Sequence, residues 1–206
     1  MKTFKQFLKE AKQLKEENSK YKPGEFGYWW TVEQGNDDIE GTVWKDNMIC
    51  FRKNLTSLRG CPKIINGNFD VSRNKLTSLE GCPEIVRGDF FCSGNSLTSL
   101  EGAPKQVTKG FFCSVNNLTS LEGAPKQVGG SFVCRNNKLT SLKGCPEIVR
   151  GNLLCSNNQL TSLDGMPKKI GGDFELKRKE IDAVGGEDEI YKISKIGGRI
   201  VTEVIR

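Results

Sequence analysis

Eight cysteines and no histidine bound the chemistry open to this chain of 206 residues. A thiol is its strongest nucleophile, yet without an imidazole neither a Cys-His nor a Ser-His pair can form. Cysteine also ligates zinc, but no Cys-x-x-Cys pair occurs and no histidine completes a site, so no metal is expected. The placement of the thiols points elsewhere. Cys92, Cys113, Cys134 and Cys155 recur every 21 residues in a column shared with Val71 and Leu176, and Cys50 lies one period before Val71. Cys61, Cys82 and Cys145 alternate with Ala103, Ala124 and Met166 in a second column. Interchange with small and apolar residues is how a buried thiol behaves, as a modest hydrophobe. Bridges along one column would be off-geometry, and free thiols imply a reducing compartment.

Carboxylates are the next candidates. Glu80, Glu101 and Glu122 share a column, which leaves carboxylate pairs open for acid/base work. Arg59, Lys143 and Asp164 occupy the same column, however, so it reads as a solvated edge, and a hydrolase built on it ranks last. No glycine-rich phosphate loop with its lysine is present, and no cofactor is expected. The expectation is a protein that is not an enzyme.

What positions these residues is a phrase repeated without insertion from Leu55 to Leu176. Leu76-Thr77-Ser78-Leu79-Glu80-Gly81-Cys82-Pro83 returns 21 residues later as Leu97-Thr98-Ser99-Leu100-Glu101-Gly102-Ala103-Pro104. A period of this length means stacked units that bury their apolar faces only against one another. Two leucine columns, a β-branched column from Ile65 to Ile170, and a column of Phe69, Phe90, Phe111, Phe132, Leu153 and Phe174 supply the core. Phe90 and Cys92, two apart, point to one face of a strand. Asn74, Asn95, Asn116, Asn137 and Asn158 form a ladder of carboxamides suited to buried backbone groups where the chain leaves the strand. Glycine followed two residues later by proline, from Gly60 to Gly165, bends each unit without a helix.

The spacing Phe90-x-Cys92-x-x-Asn95-x-Leu97 resembles the leucine-rich repeat pattern L-x-L-x-x-N-x-L, with Phe and Cys at two of the aliphatic positions. The resemblance implies a β-rich solenoid with a parallel sheet of 21-residue coils on its concave side and irregular turns on the convex side. Within it, the strand positions opposite the core are Asp70, Phe91, Phe112, Val133, Leu154 and Glu175. An apolar stripe on a face that should meet water marks a binding surface. Phe91, Phe112, Val133 and Leu154 are therefore the candidate docking residues for a protein partner, with Asp70, Asp89, Arg135 and Glu175 as the charged rim.

The rest of the chain reads as caps. Residues 1–20 carry apolar side chains at 4, 7, 8, 11 and 14, the spacing of an amphipathic helix. Residues 21–47, with all three tryptophans, read as a hairpin lid over the first coil; 48–178 form the solenoid; and 179–206, a strand, two glycines and a strand, read as a second hairpin. The opening Met1-Lys2-Thr3-Phe4, followed by Leu8-Lys9-Glu10 before Ala11, is similar to the head-targeting segment of internal proteins of T-even-type tailed phages. That resemblance implies cleavage after Glu10, a mature chain starting at Ala11, passage through the virion interior and action in the host cytoplasm on a host protein. Short repeats of this kind are also similar to those of secreted bacterial effectors, the first alternative.

The net charge is +6. Nucleic-acid binding, the second alternative, is disfavoured because the column Lys63, Glu84, Lys105, Lys126, Glu147, Lys168 mixes signs, whereas phosphate binding needs a concentrated positive stripe. No apolar run is long enough to span a membrane. A monomer is expected.

Overall fold

The structure, a computed structural model, describes residues 4–34 and 36–202. Its unit is a coil with two short strands joined by a tight corner, as in Ile85–Val86 and Phe90–Phe91. Stacked coils put each strand beside its own repeat. The result is two eight-stranded parallel sheets, one running from Val43–Trp44 to Lys195–Ile196 and the other from Met48–Ile49 to Ile200–Thr202. Val86 pairs with Val107 and Phe90 with Phe111, so the repeat period becomes the sheet register. Two-residue strands suffice because each inner strand is bonded to a neighbour on both sides; Phe90 and Cys92 donate to the carbonyls of Gly110 and Phe112, both at 2.9 Å.

The core lies between the sheets and is closed on its third side by leucine turns. Phe69, Phe90, Phe111, Phe132 and Phe174 are wholly buried, with ring centroids of neighbours 5.1–5.8 Å apart, and meet Ile65, Val86, Val128, Val149 and Ile170 from the other sheet. The leucine turn needs glycine at its apex. Gly123 has φ +93°, and a Cβ there would sit 2.3 Å from the Leu100 carbonyl one coil away.

The asparagine ladder satisfies buried backbone as expected. Asn116 Nδ2 donates to the carbonyls of Cys92 and Cys113, each at 3.1 Å, while its Oδ1 accepts from Leu97 N at 3.1 Å. Where the ladder would place asparagine at Lys179, the buried Glu180 takes over: its carboxylate accepts from Asn158 N and Lys177 N, both at 2.8 Å.

Four features differ from the sequence-based expectation, three of them in the first sheet and the N-terminal lid. The Ile65-to-Ile170 column lies in a full sheet of its own, the first of the two, and not in irregular turns, because its β-branched side chains alternate in and out as a pleat requires, with Val86 buried and Ile85 half-exposed. The N-terminal lid is no hairpin. Phe26–Tyr28 and Trp29–Glu33 are helical, and helical spacing puts Phe26 and Trp29 on the same side against the open core end, where strand alternation would have parted them. Val43–Trp44 pairs in parallel with Ile64–Ile65, so the first coil starts there and not at residue 48. Gly35, at the expected turn, lies outside the described residues.

The C-terminal hairpin is likewise replaced. Lys195–Ile196 and Ile200–Thr202 run parallel to Lys169–Ile170 and Phe174–Leu176, making one more coil. Its leucine turn is exchanged for helices Arg178–Ala183 and Glu187–Ile193, which bury Ile181 and Ile190, and the repeat lengthens from 21 to 26 residues. Residues 203–206 lie outside the described residues. The helix expected over 1–20 is present as Phe4–Asn18, packed against Trp29–Glu33; Met1-Lys2-Thr3 lie outside the described residues.

Candidate functional site

The second sheet turns one side chain per strand inward and the next outward. In-register pairing brings Asp70, Phe91, Phe112, Val133, Leu154 and Glu175 side by side on its outer face. The sequence-derived stripe is therefore one continuous surface. At its middle the rings of Phe91 and Phe112 stack, centroids 4.6 Å apart and planes at 12°. The Phe112 ring leans over Gly110, where an added Cβ would lie 2.6 Å from Cε2. Every corresponding position from Asn68 to Asp173 bears a small polar side chain; Gly110 leaves that space to the ring.

Those small polar residues are a second ladder. Asn68 Oδ1 accepts from Asp89 N, Asp89 Oδ1 from Gly110 N, and Asn152 Oδ1 from Asp173 N, at 2.8–2.9 Å. Asp89 thus satisfies the backbone of the next coil, and its rim role is shared with that duty. The recurrence of Asn, Asp and Ser at this position is the signal that would have shown it. Asp70 Oδ1 likewise accepts from Ser72 N at 2.8 Å.

The far rim is closed. Arg135 reaches across to Glu175, Nε to Oε1 at 2.7 Å with a second guanidinium bond to Oε2, and Ser156 Oγ donates to Oε1 at 2.6 Å. Glu175 is only 7% exposed, and Val133 only 9%. These two charges hold each other and do not stand as separate rim groups. Accessible apolar surface is instead continued at the other end by Ile49 and Phe51, 56% and 38% exposed, with the guanidinium groups of Arg52 and Arg73 5.1 and 5.8 Å from the Phe51 ring. Ile49 stands one period before Asp70, so extending the repeat back one coil would have found it.

The remaining candidates are set apart. All eight cysteines are free; burial pushes the thiols of Cys92, Cys113 and Cys155 up, opposite to the shift a nucleophile needs. Glu80, Glu101 and Glu122 lie exposed on the leucine turns, and Glu122 pairs with Lys143 at 3.4 Å. Tyr21 in the N-terminal lid shares its hydroxyl with Asp38 and Glu40 at 2.8 and 3.2 Å, and Lys20 binds both carboxylates; its hydrogen bond holds Glu40 below the usual carboxylate range. That cluster fastens the lid. Glu10 is exposed and Ala11 half-buried on the helix, while the side chain of Leu8 lies outside the described residues. Among the described residues no group of three or more metal-ligating side chains converges, and no helix is long and apolar enough to cross a membrane.

Comparison with known proteins finds no matching family model, no similar curated protein and no similar solved structure.

Proposed function

We propose that this chain is a non-catalytic binding module whose outer second-sheet face docks a protein partner around Phe91 and Phe112. One observation carries the reading. Two aromatic rings stack half-exposed on a rigid parallel sheet, and a glycine at the neighbouring position makes room for one of them. Rings held this way lose little freedom on binding and present a large apolar contact, which is how aromatic anchors contribute to interfaces. Ile49 and Phe51 extend the contact, and Asp70 sits between them and the rings as a polar mark for register.

The similarity of the opening helix to a phage head-targeting segment supports a host protein as that partner, met after cleavage behind Glu10. Lys9 and Glu10 are exposed on a helix that packs against the lid, so a protease can reach the bond after Glu10. N-terminal sequencing of protein recovered from particles should then begin at Ala11.

Affinity capture with the intact chain tests the docking face. Phe91→Ser together with Phe112→Ser should abolish recovery of the partner while the cooperative thermal transition remains. Undiminished recovery by that double variant would remove the proposal.

A further inference from the structure

The outer face of the first sheet carries the opposite chemistry. Read singly, the column Lys63, Glu84, Lys105, Lys126, Glu147, Lys168 mixes signs. Folding adds two more columns to it on one surface: Lys45, Arg87 and Arg150 just past the strands, and Lys169 and Lys195 within them. Nine basic side chains then share this face with two carboxylates, an excess larger than the +6 of the entire chain. The carboxylates are spent locally. Glu84 lies between Lys63 and Lys105 at 3.7 and 3.6 Å, and Glu147 binds Lys168 at 2.7 Å. Among the described residues Lys45, Arg87, Lys126, Arg150, Lys169 and Lys195 form no ion pair. Near the C-terminal end a recess of about 270 Å³ opens between Arg150, Lys169 and Lys195, with Gly171 and Gly197 along it.

From this geometry we infer that the first-sheet face binds the phosphate backbone of double-stranded nucleic acid, with the Arg150, Lys169 and Lys195 recess seating a phosphate. Eight parallel strands about 4.8 Å apart span roughly 34 Å, close to one turn of a duplex. The charges are fixed to a rigid lattice, which suits a rigid polyanion. The outward strand positions Ile64, Ile85, Gln106, Gln127 and Ile148 hold no aromatic ring, so the face lacks the stacking platform by which single strands are held. Contacts are therefore to phosphates, and recognition is independent of base sequence.

Fluorescence anisotropy of the intact chain with a labelled mixed-sequence duplex tests this. Binding at low salt should weaken with a log–log slope of about −4 to −5, the release expected from roughly five phosphate contacts. Arg150→Glu with Lys169→Glu should lower affinity about tenfold or more at about 50 mM salt. Arg87→Glu with Lys126→Glu should act in the same direction at the other end of the face. Lys143→Glu, on the leucine turns, and the Phe91→Ser, Phe112→Ser pair should leave binding unchanged, which separates this face from the docking face. All four substitution sets lie on exposed or half-exposed positions, and unchanged thermal transitions confirm that they fold. Absence of binding at low salt, an effect of Lys143→Glu equal to that of the face variants, tighter binding to single strands or to phosphatidylserine vesicles, or equal competition by polyglutamate would each overturn the inference.

Discussion

Arg135 and Glu175, 40 residues apart in sequence, lie two coils apart on the second sheet and close its C-terminal end with a two-pronged ion pair. The guanidinium is 36% exposed, whereas the carboxylate is nearly buried. Removing the arginine strands a charge that, among the described residues, keeps the Ser156 hydroxyl as its hydrogen-bond donor. Because the arginine is partly solvated, Arg135→Ala should cost about 1–2 kcal/mol and not the full penalty of a buried pair. Adding Glu175→Gln should restore part of the loss in urea unfolding. A single variant as stable as the parent chain would show that the pair contributes nothing.

Gly110 and Phe112 make a second test, aimed at shape. In Gly110→Ala the new methyl group meets the far edge of the Phe112 ring, which is free to swing away. Stability should fall by about 1 kcal/mol or less, while the stack with Phe91 is lost. Near-ultraviolet circular dichroism should report the lost stack, and partner capture should weaken. Gly129→Ala, whose Cβ would meet the Thr108 carbonyl at 1.9 Å, should instead damage the backbone of the coil. An unchanged aromatic spectrum for Gly110→Ala would contradict the packing described.

The buried thiols give the chain an alkaline limit. Burial raises Cys61, Cys113 and Cys155 well above the ordinary thiol value. The folded state then keeps protons that the unfolded state releases above its thiol pKa of about 8.5. Fewer bound protons in the unfolded state mean that stability falls as pH rises past that point, by up to about 1.4 kcal/mol per pH unit for each thiol. Below it these groups have no effect. Urea midpoints in reductant should hold from about pH 7 to 8 and drop above about pH 9, and Cys113→Val should flatten the drop. Equal alkaline slopes for the parent and Cys113→Val would refute the assignment.

The core was legible because stacking repeats one environment, and one environment selects one residue type at every turn. Phe90, Val86, Leu97 and Asn95 each stand in columns whose roles the structure bears out. The caps were not legible by the same rule. Tyr191 to Thr202 has the alternation of a hairpin, yet Ile196-Gly197-Gly198 repeats Ile170-Gly171-Gly172 and Val128-Gly129-Gly130, the corner between the sheets. That correspondence lies 26 residues away instead of 21, because two helices enter the coil. Phe26 to Trp30 held aromatic residues suited to either strand or helix, and only the open core end decided between them.

The docking face shows the same division. Its apolar members followed from alternation along Phe90-Phe91-Cys92, since a pleat leaves no other direction for Phe91. Its rim did not follow, because whether Arg135 meets solvent or Glu175 depends on a distance across two coils that spacing along the chain does not contain. Periodicity determined which residues repeat and which way they point, for those are local consequences of backbone geometry. Tertiary structure decided which columns share a surface: three columns of mixed and scattered charge became one basic face because the coil folds their strands and corners onto the same side.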